Sequence, residues 1–105
     1  MNEKINVVVC EPGTSPKPML ISNTLEEMQN IVGGYIETYT FAEDACVICN
    51  EEGRLLGLSP SIKVAGTEFV GTCIIAGIDG DVFCDLPIKK LDASFFNNIE
   101  VRRNI

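Results

Sequence analysis

The sequence predicts an α+β domain, a small and mostly antiparallel sheet of about five strands with one or two packed helices. Three observations predict it. Short runs rich in Val, Ile and Thr recur along the chain and are separated by Gly, Pro and Asp. One segment, Thr24–Val32, carries the start and stop signals of a helix. The length, 105 residues, makes a single domain over 1–105, and a domain of that size buries roughly 65% of its unfolded surface without needing disulfide or metal staples.

Ile5-Asn6-Val7-Val8-Val9-Cys10 is apolar at nearly every position, which suits a strand covered on both faces. Pro12-Gly13 ends it in a turn, and Thr14–Pro18, with two more prolines, is expected as a loop. Met19-Leu20-Ile21 makes a short strand leading into the helix. Asn23 or Thr24 caps that helix, each with a Glu three residues on, in the capping-box spacing. Glu26 and Glu27 also suit the dipole of the first turn. Leu25, Met28 and Val32 form the expected buried stripe, and Gly33-Gly34 supplies the residue that closes the helix with positive φ.

Tyr35–Phe41 alternates as a strand with Tyr35, Glu37, Tyr39 and Phe41 on one side, Ala42-Glu43-Asp44 turns it, and Cys46–Cys49 returns as its antiparallel partner. Asn50-Glu51-Glu52-Gly53 reads as a tight turn with Gly53 left-handed, followed by Leu55–Leu58 as a short strand or packed plug. Residues 59–71 are less regular. Thr72–Ile78 is a further strand, turned at Asp79-Gly80-Asp81 into Val82-Phe83-Cys84. Leu86–Asn98 is expected to hold a C-terminal helix that starts no earlier than Pro87.

Composition removes whole classes of function. The chain has no histidine, which excludes Ser-His-Asp and Cys-His catalysis and any zinc site that needs imidazole. Aromatic residues are 7% with no Trp, a poor supply of stacking platforms for single-stranded nucleic acid. The net charge of −7 opposes direct binding to a phosphate backbone. That charge lies entirely in the first half: nine acids face two bases from Met1 to Gly53, and six face six from Arg54 to Ile105. With five cysteines, no leader and no apolar run long enough to span a bilayer, the expected setting is the cytoplasm, with reduced thiols and no membrane partner.

Motif matches read as structure. Cys46-x-x-Cys49 lies in a strand, where an offset of three sends the side chains to opposite faces, so neither a redox pair nor a metal site is expected. Asp79-Gly80-Asp81 lacks the remaining ligands of a calcium loop. No phosphate-cradling glycine loop is present, and no cofactor or catalytic residue is expected. The segment Asn50–Leu58 stands apart, with three leucines, two glycines and a polar cluster in nine residues. Asn50, Glu51, Glu52, Gly53 and Arg54 are its candidate binding residues.

The blocks Asn23-Thr24-Leu25-Glu26-Glu27-Met28-Gln29, Val32-Gly33-Gly34-Tyr35-Ile36-Glu37 and Asn50-Glu51-Glu52-Gly53-Arg54-Leu55-Leu56-Gly57-Leu58 resemble a family of short domains from Firmicutes, their phages and conjugative elements. That family is a domain of unknown function. The resemblance covers roughly the first 60 residues; it implies a mobile-element or gut-bacterial origin and an intracellular setting, and it brings no catalytic residues. The leading expectation is therefore a non-enzymatic accessory module acting by protein contact through its acidic half. Two alternatives belong to other classes: an acidic nucleic-acid mimic that inhibits a DNA-binding or defence protein, and a small-ligand binder at the 50–58 loop.

Overall fold

Strands that are apolar at nearly every position need cover on both faces, and the fold supplies it. The computed structural model describes residues 3–87 and the backbone of residues 99–101. Its elements are β1 (Lys4–Cys10), β2 (Lys17–Ser22), α1 (Leu25–Val32), β3 (Ile36–Ala42), β4 (Ala45–Asn50), β5 (Pro60–Val64), β6 (Thr67–Val70), β7 (Cys73–Asp79), β8 (Val82–Cys84) and β9 (Ile99–Val101). Six strands form one sheet in the order β2-β1-β7-β4-β3, with β8 also paired to β7, and three form a second sheet in the order β6-β5-β9. Every pairing is antiparallel.

Alternation sorts the side chains of the three central strands into two cores. On one face Ile5, Val7, Val9, Cys46, Ile48, Ile74 and Ala76 pack with Met28 and Val32 of α1. On the other, Val8, Cys10, Val47, Cys49, Cys73 and Ile75 pack with Ile62, Val64 and Phe69 of the small sheet. The large sheet is thus the middle of three layers, with a helix on one side and a three-stranded sheet on the other. Cys46 and Cys49 fall in different layers, as their spacing in a strand requires.

Thr24 is the N-cap of α1: its hydroxyl accepts from the Glu27 N–H at 3.2 Å. Asn23 does other work, its amide donating to the Phe83 carbonyl at 2.9 Å and tying the helix entry to β8. Gly33 closes the helix at φ +83°. The buried stripe differs from the one expected. Met28 and Val32 are covered and Ile31 packs beside them, but Leu25 is 57% exposed. A helix of 8 residues offers only two turns, and the sheet covers the second of them.

Two further expectations are corrected. The strand β2 begins at Lys17, so Lys17-Pro18 is strand rather than loop, which an edge position permits because the proline's missing N–H is not needed there. Residues 59–71, expected to be irregular, contain the β5–β6 hairpin. Its turn is Ala65-Gly66 with φ of 50° and 81°, the two positive values of a type I′ turn. The fold class is as expected, α+β with a mostly antiparallel sheet and one short helix: the large sheet has six strands, and a second sheet adds three among the described residues. The C-terminal helix expected over Leu86–Asn98 falls on residues 88–98, outside the described residues.

Candidate functional site

The chain between β4 and β5 is built like the end of a helix. Gly53 N–H donates to the Asn50 carbonyl at 3.1 Å, Leu56 N–H to Glu52 at 2.9 Å, Gly57 N–H to Arg54 at 3.1 Å and Leu58 N–H to Gly53 at 3.0 Å. The last two bonds are the 5→2 and 6→1 pair of a Schellman closure. Gly57 takes the left-handed position, φ +68°. The expectation that Gly53 would take it is therefore corrected: Gly53 is buried, and a Cβ there would stand 2.9 Å from Val70 Cγ2 and 3.3 Å from the Asn50 carbonyl. It is a glycine because the loop passes too close to β6 for a side chain.

Asn50 anchors this loop from below. It is 6% exposed. Its amide donates to the Val32 carbonyl at the end of α1 at 3.2 Å, and its side-chain oxygen accepts from the Glu52 N–H at 2.8 Å. The second bond closes an Asx turn. One buried amide thus joins the helix C-terminus to the loop. Of the five candidate residues, Glu51, Glu52 and Arg54 are exposed, whereas Asn50 and Gly53 are buried and set the shape of the loop.

The packed plug expected at Leu55–Leu58 is also corrected. Leu55 is 87% and Leu56 61% exposed, and only Leu58 turns inward, against Gly71. Both cores are already filled by the sheets and the helix, so a loop crossing above them has no interior to enter. The two leucines face water on a turn closed by backbone hydrogen bonds.

Beside the loop lies a cleft of about 240 Å³ between β3, β4 and β6. Tyr39, Cys49, Leu55, Phe69 and Val70 line it together with Glu37, Glu51 and Arg54. The Tyr39 and Phe69 rings meet edge to face with centroids 5.6 Å apart, and Thr67 Oγ1 donates to the Tyr39 hydroxyl at 3.2 Å. Arg54 reaches across the loop and donates to the Glu68 carbonyl on β6 at 2.7 Å. Sequence reasoning placed Glu37 and Tyr39 on one face of a strand but found no cleft, because β6, which closes it, was not recognised.

The acids of the first half are divided by the sheet. Glu43 and Asp44 precede β4 while Glu51 and Glu52 follow it, which separates the two pairs by roughly 20 Å at about 3.3 Å per residue. Glu26 and Glu27 sit apart from both, in the first turn of α1.

Four thiols, of Cys10, Cys46, Cys49 and Cys73, are buried, and that of Cys84 is half-buried. Burial pushes the Cys10, Cys46 and Cys73 thiols up from 9.0 to about 12. Cys73, directly opposite Cys10 across β1 and β7, adds to the shift of Cys10, and the hydrogen bond between Ser61 and Cys73 opposes that of Cys73. Cys49 is raised by burial and by Glu37, against Arg54. A native thiol held protonated stabilises the fold fully below the ordinary value, and that stability is lost as pH rises through the native one. Stability is therefore expected to fall as pH climbs from 9.0 towards 12. Urea midpoints measured across that range check it. A Cys10→Ala, Cys73→Ala variant should show a flatter decline, and an equal slope would mean that other groups carry the loss.

Among the described residues no helix is long and apolar enough to cross a membrane. No curated protein and no solved structure matches the chain. The family resemblance carried by the first 60 residues extends into the second half, since the family's model matches residues 5–98. The chain, with its three-layer fold and its clamped loop between β4 and β5, belongs to the family described as Domain of unknown function (DUF3846).

Proposed function

We propose that the protein is a non-enzymatic, cytoplasmic binding module, an accessory protein of a mobile element or phage, that works by protein contact through the Asn50–Leu58 loop, which begins in its acidic half with Glu51 and Glu52 and continues past it. One observation carries this reading: Leu55 and Leu56 are exposed at 87% and 61% on a turn closed by backbone hydrogen bonds from Gly53, Leu56, Gly57 and Leu58. A clamped loop loses little conformational entropy on binding, and exposed leucines gain from desolvation. Glu51, Glu52 and Arg54 surround them as a polar rim that steers encounter. The mobile-element setting is supported by the resemblance of the first 60 residues to phage and conjugative-element domains. A small-ligand reading is less well supported, because the cleft of about 240 Å³ is below the usual range of about 300–1,000 Å³ for ligand pockets, and the depression of about 510 Å³ beside Glu52 is lined by Gln29, Asn30, Gly33, Gly34, Tyr35 and Glu52, with Tyr35 its one large apolar side chain.

Leu55→Ser with Leu56→Ser tests the loop. Stability should change by less than about 0.5 kcal/mol, since neither side chain is packed. Capture of proteins from host lysate should fall about tenfold or more, the loss expected when exposed anchors are removed from a contact centre. Capture equal to wild type, with the fold intact, would place the contact surface elsewhere.

A further inference from the structure

We infer that the cleft between β3, the 50–58 loop and β6 receives a single lysine or arginine side chain of a protein partner. The inference rests on the contact-loop reading and names what that loop's neighbour recognises. Size comes first: about 240 Å³ has room for one long side chain and not for a folded element. The walls come second. Tyr39, Phe69, Val70 and Leu55 offer an apolar channel in which the methylenes of such a side chain lie while its charged head stays at the opening. The Tyr39 ring adds a face for a cation.

Charge decides the occupant. Glu37 and Tyr39 lie on the same face of β3, the face directed towards the small sheet, and Glu37 is paired directly with Cys49 of β4. Glu51 also lines the cleft, at the start of the loop, where its N–H donates to the Tyr35 carbonyl at 2.9 Å and continues the β3–β4 ladder beside Glu37. Both carboxylates are exposed. Three carboxylates line the cleft, Glu37, Glu51 and Glu68, against one cation, Arg54, whose guanidinium donates to the Glu68 carbonyl on β6, so the lining keeps a net negative charge that favours a further cation. An anionic or purely apolar side chain would leave Glu37 and Glu51 facing a desolvated contact without a partner, whereas an ammonium or guanidinium pairs with them.

The test is a titration of the full-length, isotope-labelled protein with Nα-acetyl-lysinamide, followed by backbone amide shifts. Saturable shifts are expected at Tyr39, Cys49, Leu55 and Phe69, with a dissociation constant on the order of 1 mM for a probe of this size. Nα-acetyl-norleucinamide, which keeps the stem and lacks the charge, should bind at least about threefold more weakly. Glu37→Gln with Glu51→Gln should keep the native amide spectrum and erase the preference for lysinamide over norleucinamide. Equal binding of the two probes overturns the inference, and so do lysinamide shifts as large at the Glu43-Asp44 turn as in the cleft. A captured partner lost on Leu55→Ser, Leu56→Ser but retained on Glu37→Gln, Glu51→Gln also overturns it and leaves the contact loop standing. A selective lysinamide titration, with capture indifferent to the leucines, overturns the contact loop alone.

Discussion

Gly77→Ala is expected to destabilise the protein by about 3–5 kcal/mol, at or beyond the upper end of what overpacking normally costs. Gly77 pairs with Ala45 on one side and Cys84 on the other, where β8 folds back along β7. A methyl group there would overlap the carbonyl group of Asp85 and stand 3.0 Å from the Cys84 oxygen. These are backbone atoms, so no rotamer change relieves the clash; either β8 lifts from β7 or β7 bends out of the central sheet. Gly80→Ala, in the turn between the same strands, is the matched control. It meets no atom within 4 Å and has only its φ of +67° against it, a cost of roughly 1–2 kcal/mol. Urea midpoints of the two variants decide the matter. If they coincide, the return of β8 along β7 is wrong.

The second expected result separates the two cores. Ile74 and Ile75 are adjacent on β7, fully buried, and point into different layers: Ile74 towards α1 and Ile75 towards the small sheet. Each truncation to Ala should cost about 2–5 kcal/mol, because each leaves a cavity in a separate packed layer. A two-layer protein would behave differently, with one of the two neighbours facing water and its truncation costing under about 0.5 kcal/mol. The double variant should lose most of the roughly 5–15 kcal/mol that a domain of this size possesses and be substantially unfolded without denaturant. Chemical denaturation of the two single variants provides the measurement, and one silent substitution would remove a layer from the fold.

Local chemistry made much of this architecture legible. Val7-Val8-Val9 and Cys46-Val47-Ile48-Cys49 are apolar on both faces, so two-sided cover was readable from composition alone, and β1, β4 and β7 lie where it placed strands. Thr24 with Glu27, and Gly33 after Val32, bound α1 because capping is settled within a few residues. The hairpin β5–β6 was missed for an equally local reason. Its turn uses Ala65-Gly66, and alanine at φ 50° lacks the signature that Asn-Gly would have displayed.

The candidate site divides along the same line. Composition marked Asn50–Arg54 as unusual, and the backbone of that loop is a self-contained helical turn closed by Gly57. Whether each of those residues faces water was decided elsewhere. Asn50 is buried because the end of α1 lies against it, and Gly53 because β6 passes within van der Waals distance. Leu55 and Leu56 are exposed because two cores, filled from distant parts of the chain, leave no space beneath them. The cleft itself requires β3, the loop and β6 to meet, residues up to 33 positions apart from Glu37 to Val70. Secondary structure, caps and turns follow from interactions between near neighbours, which the order of residues states directly; burial and the shape of a binding surface follow from which layers compete for the same volume, and only the folded chain decides that.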